Sequence, residues 1–414
     1  MNHSQPLNNQ QTISVYEHQR LYVGEQGFSD THLQALLKLN EYHDFSYFEA
    51  IANGIKFKQY VGVIQVDGLT IEIHPKADKN DENSKWQGVL LKMLQACGKL
   101  KASSAGLALV RKTNLNLLEV YFELYLSELQ QLLHRGLIKQ YRKQTANVKA
   151  LKGKLEFAGH IQRNQIHKER FYTTHQVYDK DHLLHQILYN ALEIVTQFCR
   201  GTYLYDHCQR VRLDFPEVTR TRITKKQLDQ IKLNRKSAPY AYAVELARLI
   251  ILNYSPDISR GQEKMISLLF DMNKLWEEYV FVMLQKYCRE NDLDIEVNAQ
   301  QTKPFINSNY LQPDIVIKKG NKSYIIDTKW KVPESSTASI SDLRQMYTYA
   351  RFWQAKKVML LYPGIRRNYG FQLFKNNEVD GFDHQCKMGF VSVLGSNNEL
   401  NPKIVENIIH QLEV

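Results

Sequence analysis

Asp314 and Asp327 bracket a segment that can fold back on itself: PDIVIKKGNKSYIIDTK, residues 313–329. Gly320-Asn321 suits a two-residue hairpin turn. Pairing outward from that turn sets residue 319 against 322 and 318 against 323, and it brings Asp314 opposite Asp327. Directly paired residues hold their Cβ atoms ~4.5–5.5 Å apart. Two carboxylates so placed on otherwise apolar strands repel, unless a cation lies between them or they share a proton. A hard divalent cation with oxygen ligands is the natural occupant. Asp327 and Lys329 are two residues apart and so point to one face, with Ile326, Thr328 and Trp330 on the other. An ammonium group beside a metal-bound water and a phosphate can orient the nucleophile and stabilise developing negative charge. The chemistry this combination suggests is phosphodiester hydrolysis.

A further acid is expected from the preceding helical stretch. Glu278 shares its helical face with Asp271, Lys274 and Gln285, a solvated set. Glu277 neighbours Phe270, Phe281 and Leu284 at the margin of the apolar stripe, so Glu277 is the better candidate. Downstream, Gln345 and Tyr349 are four apart, share a helix face and can donate hydrogen bonds toward a phosphate. The bland alternative is that an acid followed by DxK arises by chance and ends on a solvated strand edge. Against it stand Pro313 at the head of an apolar strand, the Ile325-Ile326 lead-in, and the order of the flanking helices.

The elements that must hold these residues can be read from periodicity. Ile266 to Tyr287 reads as one amphipathic helix with a stripe of Leu268, Leu269, Met272, Leu275, Trp276, Tyr279, Met283 and Tyr287. Strands are expected at 293–297, 314–317, 323–330, 357–362 and 390–394, and helices over 341–354 and 403–412. Nearer the start, YVGVIQVDGLTIEIH (60–74) alternates around Asp67-Gly68, a strong hairpin signal. Asp78–Lys85 reads as a polar loop, and Trp86–Cys97 as a helix stopped by Gly98. Between them, 117–133, 183–198 and 241–252 carry helical spacing, with Gly136 as a cap. The expected fold is a multidomain α/β chain. It has a flexible tail (1–12), a mixed α+β domain (13–105), a mainly helical middle region (106–265) and an α/β domain (266–414).

Composition sets the frame. The chain has 414 residues, 43% apolar and 23% charged, an ordinary globular balance. Lys and Arg number 54 against 43 acids, a formal charge of +11, which favours a polyanionic partner such as nucleic acid. Two basic stretches, 135–154 and 220–236, could contact phosphates, with Tyr141 and Tyr172 placed to stack on a base. The five scattered cysteines argue against a disulfide framework and for the cytoplasm. No apolar run reaches a membrane span, and the polar start has no signal-peptide core. His182 and His185 sit in a helix-like stretch and are read as structural.

The order Glu277 helix, Pro313-Asp314, Asp327-x-Lys329, Gln345-x3-Tyr349 resembles the PD-(D/E)xK (restriction-endonuclease-like) nuclease superfamily. Together with YVGVIQVDGLTIEIHPK (60–76), LKGKLEF (151–157), DMNKLWEEYV (271–280), LQPDIVI (311–317) and IIDTKWK (325–331), it is similar to the McrC family, the endonuclease subunit of McrBC modified-cytosine restriction systems. The resemblance implies a DNA endonuclease acting on double-stranded DNA with Mg2+. Asp314 and Asp327 would bind the metal with the Thr328 carbonyl, and Glu277 would be an accessory ligand. Lys329 would position the water, and Gln345 and Tyr349 would support the site. It also implies an AAA+ GTPase partner of the McrB type, a ring onto which the N-terminal region docks and whose GTP hydrolysis it stimulates. GTP would be bound by that partner: the chain contains no GxxxxGK[ST], since Gly98-Lys99 is followed by Leu100. Two other readings are a regulatory adaptor that mainly activates a partner NTPase, and a stand-alone nuclease.

Overall fold

The computed structural model describes residues 11–43, 46–76, 86, 89–100, 116–255, 265–331, 333, 337–365, 370–375, 383–395 and 399–413. The expected polar loop at 78–85 lies outside the described residues, as does the expected tail up to residue 10. Residues 11 and 12 already belong to a strand, Gln11–Tyr16. The chain divides into two compact units. One holds residues 104–257 and 264–268, and the other holds 9–103 and 269–414. The segments expected as a first and a last domain thus fall in the same unit.

In that unit the Asp-Gly hairpin forms as read. Tyr60–Val66 pairs antiparallel with Leu69–His74, Val66 opposite Leu69. Asp67 (φ 43°) and Gly68 (φ 76°) take the two positive φ angles of a type I′ turn. Gln11–Tyr16 adds on in parallel, from Gln11 opposite Leu69 to Tyr16 opposite His74. A second small sheet joins Arg20–Tyr22, Gly54–Phe57 and Phe48–Ile51 in that order. The helix expected from Trp86 runs over Val89–Ala96, and Gly98 takes φ 71° beyond its end.

The rest of the unit is built on a six-stranded sheet. Its order is Glu296–Ala299, Ile315–Lys319, Lys322–Thr328, Lys357–Pro363, Gln385–Val391 and Gln372–Leu373. The three middle strands from Lys322–Thr328 to Gln385–Val391 run parallel. Val358 to Tyr362 are all buried, the continuous apolar run of a strand covered on both faces. The helix Ile340–Trp353 packs Met346, Tyr349, Ala350 and Trp353 onto Val316, Ile325, Val358 and Leu360. Met272–Glu290 and Ile404–Leu412 also pack on this sheet and on each other.

Three sequence expectations need correction here. Residues 265–271 form a strand, Met265–Asp271, and the helix starts only at Met272. Asp271 caps it, its Oδ1 accepting from the Asn273 N–H at 2.9 Å. A short apolar run fits strand and helix alike, and here the cap marks the break. The buried stripe then continues through Val280, Leu284 and Cys288, leaving Met283 and Tyr287 half-buried. The strand expected at 293–297 is Glu296–Ala299, and that expected at 390–394 is Gln385–Val391.

The other unit carries helices at Leu117–Arg135, Leu183–Phe198 and Ala241–Leu252, as the spacing predicts. Asn116 and Glu119 close a capping box at the first, and Gly136 ends it with φ 82°. The reading of this region as mainly helical misses a three-stranded sheet. Gln140–Val148 and Phe171–Asp179 pair along nine residues each, and Lys154–Leu155 joins the second. Neither long strand is apolar enough to show a period of two. Within the first basic stretch, Arg142 is committed to Asp179 (2.9 Å) and Asp181 (3.3 Å). The Tyr141 ring lies 4.7 Å from that of Tyr178, and the Arg163 guanidinium covers Tyr172. His182 and His185 are buried, donating to the Ile138 and Lys180 carbonyls at 3.2 and 2.7 Å.

Candidate active site

The Ile315–Lys319 and Lys322–Thr328 strands form the hairpin that carries the acids. Gly320 takes φ 56° at the turn, and the ladder runs from Lys319 opposite Lys322 to Ile315 opposite Ile326. The same register continued by one residue sets Asp314 against Asp327. The two carboxyl groups have different surroundings. Asp314 Oδ2 accepts from the Thr328 N–H at 2.7 Å and from its hydroxyl at 2.8 Å, so a side chain outside the strand is latched to the partner strand's end. Asp327 is buried at 2% exposure, with Lys329 Nζ 2.6 Å from its Oδ2. The Lys329 N–H donates to Leu361 O at 2.9 Å, extending the parallel ladder past the strand end.

Electrostatics tie the cluster together. Burial, then the charge of Asp314, push the Asp327 carboxyl up to about 6. Burial raises Asp314 too, against the pull of Thr328 and Lys329. Glu277 is raised by burial and then by Asp314, with Asp327 adding to it. Burial works against the Lys329 ammonium, but Asp327 and Asp342 outweigh it and its pKa is raised. Glu277, Asp314, Asp327 and Lys329 therefore feel one another's charge. Glu278 instead pairs with Lys99 at 2.8 Å.

Gln345 and Tyr349 reach the cluster through a relay. Gln345 Nε2 donates to the Tyr349 hydroxyl at 2.9 Å, and that hydroxyl donates to Gln312 O at 3.0 Å. Gln312 lies two residues before Asp314. The Tyr349 proton is committed to the Gln312 backbone, so through it this pair steadies the approach to Asp314.

Sequence reasoning passed over two residues. Gln300 bridges the two acids, its Nε2 donating to Glu277 Oε1 and its N–H to Asp314 O, both at 2.9 Å. It does so with φ 47°, a strained angle for a side-chain-bearing residue. No sequence signal marks it. Asp342 lies 3.9 Å from Lys329 Nζ and 3.8 Å from Lys331 Nζ. Its spacing of three from Gln345 puts it on the same helix face, a signal that was available.

Among the described residues no group of three His, Cys, Asp or Glu side chains forms a ready metal cage. The donor chemistry nonetheless fits a hard divalent cation. The half-buried Asp314 raises the proton affinity of the buried Asp327, and a cation between them would relieve that.

Fold and cluster together define a multidomain α/β protein with shielded acids and a lysine gathered at one end of a β-hairpin. The chain belongs to the family described as McrBC 5-methylcytosine restriction system component, whose model matches residues 55–363. It is 20% identical over 229 residues to the Type IV methyl-directed restriction enzyme EcoKMcrBC of Escherichia coli (strain K12). That match spans 52% of the chain and 64% of the relative's length. Its fold is similar to a chain of the refined half-complex from the tetradecameric assembly of Thermococcus gammatolerans McrB AAA+ hexamers with bound McrC. The TM-score is 0.68 at 21% identity, covering 97% of this chain and 99% of that one. A chain of the cryo-EM structure of the Thermococcus gammatolerans McrBC complex matches with a TM-score of 0.50 at 24% identity, covering 66% and 87%.

Proposed function

We propose that this chain is the Mg2+-dependent DNA endonuclease subunit of a McrBC-like, modification-dependent restriction system, with a PD-(D/E)xK site. It would act in the cytoplasm with an AAA+ GTPase ring, whose GTP hydrolysis it stimulates. The observation that carries the reading is the cluster of Asp314, the buried Asp327 and Lys329, with Glu277 in its field. The McrB hexamers named with the similar McrC chain support the partner.

Asp314, Asp327 and the Thr328 carbonyl would hold Mg2+, with Glu277 as accessory ligand. Bound there, the ion would polarise the phosphodiester and make a water easier to deprotonate. Lys329, steadied by Asp327 and Asp342, would hydrogen-bond the attacking water and the phosphate oxygens as negative charge grows. The water would lose a proton to solvent, its oxygen would bond to phosphorus as the ester P–O bond breaks, and the leaving oxygen would take up a proton from solvent. Thr328 fixes the Asp314 carboxylate, and Gln300 fixes Glu277.

The test is Asp327→Ala in the assembled complex. DNA cleavage should vanish while GTP hydrolysis by the partner persists. Cleavage at the wild-type rate would overturn the assignment.

A further inference from the structure

We propose that Glu17 is a positioning residue for this site: its carboxyl group, through the Trp330 indole, holds the chain at Lys329 in place. The inference rests on the nuclease reading of Asp327 and Lys329.

Glu17 follows the Gln11–Tyr16 strand, and its N–H donates to His74 O at 3.1 Å. Its side chain is 1% exposed. Oε1 accepts from Trp330 Nε1 at 2.6 Å and from the Lys76 N–H at 2.7 Å. Trp330 is the residue after Lys329. The chain at Lys329 is thus fixed on one side by Leu361 in the sheet and on the other by this indole. The Trp330 ring also meets Trp276 at 5.4 Å and Trp86 at 5.9 Å, and Trp276 is the residue before Glu277. A shift of Trp330 therefore reaches both Lys329 and Glu277.

The bland reading is that a core indole simply needs an acceptor. Trp330 instead sits next to Lys329, and its acceptor is a carboxyl group, not a neutral carbonyl. The Glu17 side chain differs in being an acid bound at once to the Trp330 indole and to the Lys76 backbone, which ties the Lys329 segment to the first strand. A carboxyl in such a place is also costly to ionise. Burial, opposed by the bonds from Trp330 and Lys76 and reinforced by Asp271, pushes Glu17 up to about 8. The ionisable groups around it are His18, whose Nε2 is 3.8 Å from Oε2, Lys76, Asp271 and the His74–Glu72 pair. Near neutral pH Glu17 is a protonated, uncharged acceptor. The bonds from Trp330 and Lys76 favour the ionised form, so loss of the proton tightens the hold on Trp330.

The experiment compares wild type, Glu17→Ala and Glu17→Gln. DNA cleavage by the assembled complex is followed from roughly pH 6.5 to 9.5, with tryptophan fluorescence titrated over the same range. Glu17→Ala should lower kcat about tenfold with KM for DNA unchanged, an interaction felt at the reacting centre alone. Glu17→Gln keeps the acceptor without the ionisation. It should recover most of that loss at pH 7 and remove the pH dependence that wild type shows near about 8. The emission change near the same pH should be present in wild type and absent in Glu17→Gln. Matching fluorescence titrations in those two proteins, or a pH dependence near about 8 that survives in Glu17→Gln, would overturn the proposal. Should Glu17→Ala not fold, the Gln comparison decides alone. Wild type that never cleaves would sink the nuclease reading, while the fluorescence titration still judges the Glu17 anchor.

Discussion

Lys329 Nζ lies 2.6 Å from Asp327 Oδ2 and 3.9 Å from Asp342 Oδ1, so one ammonium spans the end of a strand and the first turn of a helix. Strand alternation requires only that residues 327 and 329 share a face. The contact forms because the ladder continues past the strand end at Lys329 N and because Asp342 offers a second anion. Both partners are largely shielded from water, where charge–charge attraction is stronger than at an open surface. On the proposed nuclease reading, Lys329→Ala should therefore lower cleavage by about 10²–10³-fold, the usual loss of one well-placed donor to a transition state. GTP hydrolysis by the partner, measured in the same tube, should stay unchanged.

Gln300 separates strain from function. A side chain in the left-handed region costs roughly 1–2 kcal/mol, which glycine avoids. Gln300→Gly should be more stable than Gln300→Ala by about 1 kcal/mol in urea unfolding. Both remove the amide that holds Glu277, so both should cut cleavage to a similar degree. If Gln300→Gly cleaves like wild type, the Glu277 contact has no catalytic consequence.

How much of this was legible follows from which signals are local. The Gly320-Asn321 turn has a residue signature, and period-two alternation carries its register outward, so the facing of Asp314 and Asp327 could be read directly. The Asp67-Gly68 hairpin was legible for the same reason. Helix facing favours Glu277 over Glu278, and Glu278 pairs with Lys99. Gln300 and Glu17 were not legible. Each acts through contacts distant in sequence, Glu17 with Trp330 across 313 positions, and neither sits in a motif. The strand Met265–Asp271 was lost to the helix that follows it because four to seven apolar residues fit either period. The polar ribbon at 140–148 and 171–179 was hidden because both of its faces carry hydrophilic residues, so no alternation marks it.

Tyr349 offers a milder perturbation of the same site. Its hydroxyl joins Gln345 to the Gln312 carbonyl, while its ring is buried against the sheet. Tyr349→Phe keeps the ring and deletes the link, at a cost of about 1 kcal/mol for a buried hydrogen bond. Cleavage should fall by no more than about tenfold, far less than for Asp327→Ala, because the hydroxyl acts on the backbone ahead of Asp314 and touches no reacting atom. A loss as large as that of Asp327→Ala would mean that Tyr349 meets the substrate itself.

The unit that lacks the candidate site should be sensitive to acid through His185. Its imidazole is buried, with its ring centroid 4.0 Å from that of His182 and its Nδ1 donating to Lys180 O. Burial, then the neighbouring His182, bring it down to about 4. The unfolded chain has an ordinary histidine of pKa about 6.5. Between about pH 6.5 and 4 the unfolded state binds a proton that the folded state refuses, so stability falls as pH drops through that window. Above it both states are neutral and the contribution is flat. His185→Asn keeps a donor near Nδ1 and removes the titration. Urea unfolding of the two proteins at pH 7 and pH 5 should show a smaller loss on acidification in the variant. Equal losses would show that the acid sensitivity of this unit lies elsewhere, with the carboxylates around Arg142 the next groups to vary.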